Sequence, residues 1–248
     1  MAGLLWTLVR TDFKVRYHGT VAGFVWALLK PTAMFVVLMS VFSFIFAGSP
    51  DYKLRLVLGL FLWDFFAEGT KVGLVSLHAK GYLLAKTVFP RWILVASSAS
   101  NPTVTLLTFS TAFLIAMAVA GRAPGPWAVA LYLVYVLALL LIVQGFALAT
   151  SVLFLRYRDL NQVWEVLTQA GFFIAPVIYP LDIMPERFHR YLYLWPPTAI
   201  IQFARMALLE GVVPSARAHL LLATLAGVSF LTGVLVFRRL APGAAEHL

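Results

Sequence analysis

The sequence predicts an all-α, polytopic membrane protein with six transmembrane helices. Of its 248 residues, 62% are hydrophobic and 12% are charged, whereas a soluble domain carries about a quarter charged residues. The apolar residues form several separate blocks, so the chain is predicted to cross a membrane repeatedly. A crossing helix needs about 20 mostly apolar residues for a hydrocarbon core about 30 Å thick. The predicted spans are residues 31–47, 54–77, 92–120, 127–155, 160–179 and 219–237.

The distribution of basic residues predicts the orientation of these spans. Connections on one side carry eleven Lys and Arg residues and those on the other side carry seven. The richer side is predicted to be cytoplasmic, which places both termini inside the cell. The net charge of +9 lies mostly at the ends of apolar segments, where it suits topology and lipid headgroups, so nucleic acid is not an expected partner.

The sequence lacks cysteine and a recognisable signal peptide. These two features limit the binding sites and the proteolytic processing that we expect. The chain has no cysteine, which excludes a disulfide framework and a thiolate metal site. Residues 1–18 contain four charged residues and no short apolar core before a cleavage site. We therefore expect no signal peptide to be removed.

The N-terminal residues 4–17 predict an amphipathic helix that precedes the first span. Its apolar side chains share one broad face, with Arg10 and Lys14 opposite. Asp12 and Arg16 interrupt the apolar face, but they are four residues apart and can pair. A helix along the cytoplasmic surface and an ordinary membrane anchor explain this pattern equally well.

The connection between the second and third spans reads HAKGYLLAKTVFPR and is too long for a minimal turn. It predicts a short cytoplasmic helix from Lys80 to Val88 that ends before Pro90. A short amphipathic helix held between two spans is suited to pass force from a soluble partner to the membrane segments.

Residues 180–214 form a longer connection on the predicted outer side. Four prolines divide it into two pieces, each shorter than one span. The second piece predicts a helix that starts at Pro197 and stops at Gly211. We interpret the connection as a re-entrant or surface hairpin, because irregular backbone at membrane depth must be sheltered by protein.

The second predicted span contains three charged residues on one helix face, namely Asp64, Glu68 and Lys71. Each costs on the order of 2.5–3.5 kcal/mol near the bilayer centre. They line an aqueous passage, or Glu68 and Lys71 neutralise each other or reach the cytoplasmic edge. We favour the passage for Asp64 and the second interpretation for Lys71.

Aromatic residues are dense in the second and fifth spans. In most membrane helices such rings are lipid-facing bulk. If they line a passage, flat rings backed by a few polar groups suit the C–H faces of sugars. The residues concerned are Phe61, Trp63, Phe65, Phe66, Phe172 and Phe173.

The sequence lacks the usual signatures of an enzyme. No G-x-x-x-x-G-K-[ST] loop, H-E-x-x-H or G-x-S-x-G motif is present, and there are only ten acidic residues. These motifs supply phosphate binding, zinc-dependent hydrolysis and a serine nucleophile. We therefore predict no catalytic residues, no metal site and no nucleotide site, so energy must come from an ion gradient or another polypeptide.

Several spaced motifs together resemble one known family over nearly the whole chain. They are RTDFKVRY at 10–17, Gly23, Trp26, Pro31, Gly59, Trp63, Lys86 with Phe89-Pro90-Arg91, RYRD at 156–159, PVIYP at 176–180, and Arg205 with Gly211. In this order they resemble the permease subunit of type-2 ABC exporters, most closely those for lipid-linked polysaccharides such as O-antigen and teichoic acid. The chain departs from the family pattern at Ala22, where Leu is usual, and at Trp195-Pro196-Pro197, where Asn-Pro is usual.

The resemblance implies a bacterial inner-membrane exporter in which two copies form a channel. Two ATPase subunits would bind ATP and Mg²⁺, so this chain would need no cofactor itself. Contacts to the ATPase are then expected from Arg10, Lys14, Arg16, Lys80, Lys86, Phe89, Pro90 and Arg91. The resemblance also implies a channel lined partly by aromatic residues, for which the candidates are Trp63, Asp64, Phe65, Glu68, Phe172, Phe173 and Tyr179. The outer gate is expected to include Trp195, Pro196 and Arg205.

Two other transporter classes remain open at this level. A type-2 ABC exporter for drugs or other lipids shares the architecture and is poorly separated by sequence. An ion-coupled secondary transporter needs mid-membrane charges and paired broken helices. Only Asp64 and the Asn101-Pro102 pair in the third span offer these features.

Overall fold

The computed structural model describes residues 2–17, 23–49, 51–82 and 90–243. All regular structure in these ranges is helical, which confirms the all-α prediction. The helices are α1 (Ala2–Tyr17), α2 (Val25–Ile45), α3 (Tyr52–Ala79), α4 (Trp92–Ser98), α5 (Ser100–Val119), α6 (Pro126–Arg156), α7 (Leu160–Ile174), α8 (Glu186–Leu192), α9 (Pro196–Arg205) and α10 (Ala216–Leu240).

The helices form one bundle around α3 and α6, which pack along each other. One end of the bundle, called the inner end, contains α1, Lys80 and the C-terminus of α10. The opposite or outer end contains the start of α3 and the turn after α5, joined by an ion pair between Asp51 and Arg122. That the inner end faces the cytoplasm stays a prediction from the basic residues.

Among the described residues, four helical segments are long and apolar enough to span a membrane. These are Val25–Ile45, Trp92–Val119, Pro126–Arg156 and Ala216–Gly243. Helix α3 has 28 residues but carries several charges. Helix α7 has 15 residues, or about 22 Å of rise, which is short of a full crossing. The chain is a polytopic membrane protein, and the number of six crossings stays a prediction.

Two of the predicted helix boundaries are wrong. Helix α2 starts at Val25, so Pro31 lies inside the helix and not in its first turn. The fifth predicted span, 160–179, is helical only to Ile174, because Ala175 adopts an extended conformation ahead of Pro176. The chain therefore reaches the outer end through non-helical backbone.

The Asn101-Pro102 pair predicts a kink in the third span, and the structure interrupts the helix close to that pair. Helix α4 ends at Ser98 and α5 begins at Ser100, with a turn at Ala99. Proline lacks an amide donor, and its ring clashes with the carbonyl four residues earlier, here that of Ser98. The interruption at Ala99 therefore relieves the clash between the ring of Pro102 and the carbonyl of Ser98.

Close contact between α6 and α10 depends on two glycines. A Cβ atom on Gly233 would lie 2.0 Å from the carbonyl oxygen of Gly145, and one on Gly145 would lie 2.4 Å from that of Ser229. Small residues let the backbones of membrane helices approach closely. This crossing fixes α10 against the centre of the bundle.

Short helices fill the connection between α7 and α10, as predicted. A 3₁₀ turn at Leu181–Ile183 and α8 precede α9, which continues as a π-helical turn over Met206–Glu210. Gly211 ends this helix with φ of 66°, a left-handed conformation that favours glycine. The position of these helices relative to a membrane stays a prediction.

Candidate functional site

A groove of about 790 Å³ opens between α2, α3 and α7. Its walls are mainly apolar, and the polar groups along it are Lys30, Asp64, Thr168 and Gln169. Concave apolar sites with a few convergent polar groups are the usual form of small-ligand and substrate sites. Four predicted channel residues line the groove: Trp63, Asp64, Phe172 and Phe173.

An ion pair lies in the wall of the groove. The ammonium of Lys30 is 3.8 Å from a carboxylate oxygen of Asp64, whose side chain is 28% exposed. A paired carboxylate costs less in a membrane protein than an isolated one, and such groups face a cavity or the bundle interior. Asp64 thus faces an open space, and its place on a passage stays a prediction.

The other two charges of the second predicted span behave differently. The ammonium of Lys71 lies 3.3 Å from a carboxylate oxygen of Glu165 on α7, a partner that neither interpretation included. Glu68 is half-buried on α3. The Lys71–Glu165 pair joins α3 to α7 on the inner side of the groove.

Packed aromatic rings form the back wall of the groove. The ring of Trp63 lies 5.7 Å from that of Phe172 and 6.4 Å from that of Trp195. Behind them, the ring of Trp164 lies 4.1 Å from that of Phe146 in a tilted arrangement, and its indole donates to the hydroxyl of Thr70 at 2.9 Å. These contacts hold the rings in fixed orientations.

Trp195 and Pro196, two predicted outer-gate residues, are half-buried at the start of α9. The indole of Trp195 lies over Gly171, where a Cβ atom would come within 2.5 Å of the ring. The short helices of residues 181–210 therefore contact α7 directly behind the groove. A movement of α9 would move the wall of the groove.

Three predicted channel residues do not line the groove. Phe65 is buried in the core of the subunit, Glu68 lies outside the groove wall, and Tyr179 donates its hydroxyl to the carbonyl of Ile174 at 2.8 Å. The sequence analysis missed Lys30, Thr168 and Gln169. The spacing of Glu165, Thr168, Gln169 and Phe172 places them on one face of α7 and was the available signal.

Arg205, the third predicted gate residue, is 2% exposed and holds the backbone after α7. Its guanidinium donates to the carbonyls of Pro176 at 2.6 Å, Val177 at 2.9 Å and Arg55 at 2.8 Å. Burial lowers the pKa of Arg205 to about 9, so it remains charged at neutral pH. This geometry is that of an anchor, and a gating role stays a prediction.

Space for this guanidinium comes from Gly59 of α3. A Cβ atom there would lie 2.7 Å from Nη2 of Arg205. The hydroxyl of Tyr52 donates to the next carbonyl, that of Ile178, at 2.8 Å. Gly59, Arg205 and the 176–180 segment, which are far apart in the sequence, thus meet at one point.

Two of the predicted coupling residues are held within the subunit at the inner end. Lys80 pairs with Asp12 of α1 and donates to the hydroxyl of Ser97 at 2.9 Å. Arg91 donates to the backbone carbonyls of Ala241 and Pro242. These bonds join α1, α3, α4 and the end of α10.

The remaining coupling candidates divide into two groups. Arg10 and Lys14 are exposed on α1, and Pro90 is half-buried. Lys86, Phe89, the side chain of Arg16 and most of the predicted coupling helix over 80–88 lie outside the described residues. Their predicted roles are untested by the structure.

Known proteins resemble this chain over most of its length. The family model for ABC-2 type transporters matches residues 3–209. The O-antigen export system permease protein RfbA of Klebsiella pneumoniae is 26% identical and covers 99% of this chain and 95% of its own. The protein of that name from Myxococcus xanthus is 30% identical over 77% of this chain and 74% of its own.

A further relative carries a different name. The polysialic acid transport protein KpsM of Escherichia coli is 23% identical over 92% of this chain and 89% of its own. The family model covers most of the chain, and its match includes the groove, the Arg205 anchor and the contact between Asp12 and Lys80. The chain belongs to the ABC-2 type transporter family.

Proposed function

We propose that two copies of this chain enclose a passage that carries a lipid-linked polysaccharide, of the O-antigen or teichoic-acid kind, across the bacterial inner membrane. The groove between α2, α3 and α7 supports this proposal. Its aromatic wall suits the C–H faces of sugar rings, and the Lys30–Asp64 pair offers hydrogen-bonding groups to hydroxyls. The names of the relatives from Klebsiella pneumoniae and Escherichia coli favour a polysaccharide over a drug or simple lipid.

A second copy is proposed because the helices that border the groove expose large apolar side chains. On α2, Val37 is 58% exposed and Phe44 is 83% exposed, and on α7, Val166 is 65% exposed and Phe173 is 67% exposed. The open side of the groove lies between these faces. A two-fold interface over α2 and α7 would cover them and close the groove into a passage.

We assign the ATP hydrolysis that drives transport to a separate ATPase subunit. The chain contains no phosphate-binding loop, so ATP and Mg²⁺ would be bound by the partner. Arg10 and Lys14 on the exposed side of α1 are the described residues best placed to contact it. This assignment requires the inner end, and therefore both termini, to be cytoplasmic.

Reconstitution in proteoliposomes tests the proposal. We expect translocation of a lipid-linked polysaccharide only when this chain, its ATPase and hydrolysable ATP are all present. Translocation at full rate by this chain alone would contradict the proposal. Translocation that follows an imposed ion gradient without ATP would favour the secondary transporter.

A further inference from the structure

A second apolar groove, of about 630 Å³, lies at the inner end between α4, α6 and α10. Its walls include Trp92, Leu148, Phe230 and Val234, and it shares no lining residue with the groove between α2, α3 and α7. Along α10 it extends from Phe230 to Arg238, about 12 Å of helix. All three helices belong to candidate membrane spans, and apolar walls on such helices suit contact with lipid.

Two arginines lie at the end of this groove that is nearest the inner end. Arg238 is exposed, and Arg91 is held in place by its bonds to the carbonyls of Ala241 and Pro242. Among the residues that the structure describes, no carboxylate lies within ion-pair distance of either guanidinium. Neither guanidinium is therefore neutralised by a carboxylate of the described residues.

We propose that this groove binds an anionic phospholipid of the adjacent leaflet, with an acyl chain against Phe230 and Val234 and the phosphate between Arg91 and Arg238. Basic pockets between membrane helices are known sites for anionic headgroups, and arginine matches the geometry of phosphate. The apolar walls fit an acyl chain and not a soluble protein segment. Trp92, 43% exposed, would lie at the headgroup level, where indole rings prefer to be.

This site would clamp α10 to α4 through the lipid. Arg91 precedes α4 and already bonds to the backbone that follows α10. A phosphate between Arg91 and Arg238 would neutralise both charges and add a second connection between the same elements. The lipid would thereby stabilise the inner end without entering the transport passage.

Quenching of Trp92 fluorescence by brominated lipids tests the proposal on the full chain in bilayers. The Trp92 contribution is obtained by subtracting the signal of Trp92→Phe, since the chain has seven tryptophans. We expect brominated phosphatidylglycerol to quench Trp92 at a mole fraction about thirtyfold lower than brominated phosphatidylcholine, if Arg91 and Arg238 each contribute about 1 kcal/mol.

Two variants decide between a defined site and general surface charge. Arg238→Gln should reduce the preference to about fivefold, because Arg91 remains. Arg239→Gln removes the same charge one residue later, outside the groove wall, and should leave the preference intact. A Val234→Phe variant, which narrows the groove without adding a tryptophan to the signal, should reduce quenching by both lipids at low mole fraction.

Equal quenching by the two lipids in the wild-type protein would overturn the proposal. So would equal losses in Arg238→Gln and Arg239→Gln, which would indicate unspecific attraction. If Trp92 is not quenched by either lipid at any mole fraction, a protein segment covers the groove and the lipid assignment is wrong.

Discussion

The guanidinium of Arg205 lies 2.6 Å from the carbonyl oxygen of Pro176, where the chain leaves α7 and loses its helical hydrogen bonds. With the bonds to Val177 and from Tyr52 to Ile178, three successive carbonyls are satisfied by side chains. Unpaired backbone groups are costly away from water. Arg205 and Tyr52 therefore allow α7 to end early while the chain continues to the outer end.

Replacement of Arg205 by Ala should destabilise the protein by about 3 kcal/mol, because it leaves several buried carbonyls without a donor. The measurement is denaturant or thermal unfolding in detergent. Arg217→Ala is the matched control, since Arg217 is exposed on α10 and its loss should change the stability by less than about 0.5 kcal/mol. If Arg205→Ala is as stable as the wild type, Arg205 does not stabilise the backbone after α7.

The same anchor predicts coupling between Gly59 and Arg205. Gly59→Ala should destabilise the wild type, because the new Cβ atom meets the guanidinium. In the Arg205→Ala background the same change should have almost no effect. A double-mutant cycle with independent, additive effects would show that the two residues do not interact.

The close crossing of α6 and α10 predicts that alanine has different effects on stability at two glycines of α10. Gly233→Ala should destabilise by about 1–3 kcal/mol, because its Cβ atom meets the backbone of α6. A Cβ atom on Gly227 meets nothing within 4 Å, so Gly227→Ala should be neutral or slightly stabilising. The measurement is the thermal midpoint of each variant, and equal midpoints would argue against the close crossing.

The pair between Asp12 and Lys80 predicts that α1 is held to the rest of the subunit by charge. Lys80→Met keeps the apolar stem and removes the ammonium, so the amides of α1 should exchange with deuterium faster than in the wild type. Lys14→Met removes an exposed charge on α1 itself and should leave the exchange unchanged. If α1 exchanges at the wild-type rate in Lys80→Met, another contact holds it.

The proposed two-fold interface predicts cross-links between specific positions. The chain has no cysteine, so single cysteines can be introduced directly. Phe173→Cys on α7 should cross-link two copies with a bifunctional thiol reagent in membranes. Leu235→Cys on α10, 66% exposed, should not. Cross-linking at Leu235 and not at Phe173 would move the interface to α10.

The sequence predicted the helical class, the break before Pro102 and the end of the helix at Gly211, because each depends on local preferences of the chain. It did not predict the early end of α7. The anchor that permits it joins Arg205 to Pro176 and needs Gly59 on a third helix. Such a contact between distant segments leaves no periodic signal in a single sequence.

The candidate site was predicted in part for the same reason. Trp63, Asp64, Phe172 and Phe173 could be selected by residue type, and the structure brings them together in one groove. Phe65 was on the same list as an aromatic residue of the second span, because periodicity cannot tell a core face from a groove face. Lys30 was counted only as a topology signal, and its approach to Asp64 depends on how α2 packs against α3.

The central claim is that the groove between α2, α3 and α7 is the transport path, and blocking it is the most direct test. Met34 lines the groove and is 43% exposed. Met34→Cys, assembled with the ATPase in proteoliposomes and treated with a bulky maleimide, should lose ATP-dependent translocation of the lipid-linked polysaccharide. Val228→Cys on α10, 56% exposed, should retain it after the same treatment. Full translocation by the modified Met34→Cys protein would contradict the claim.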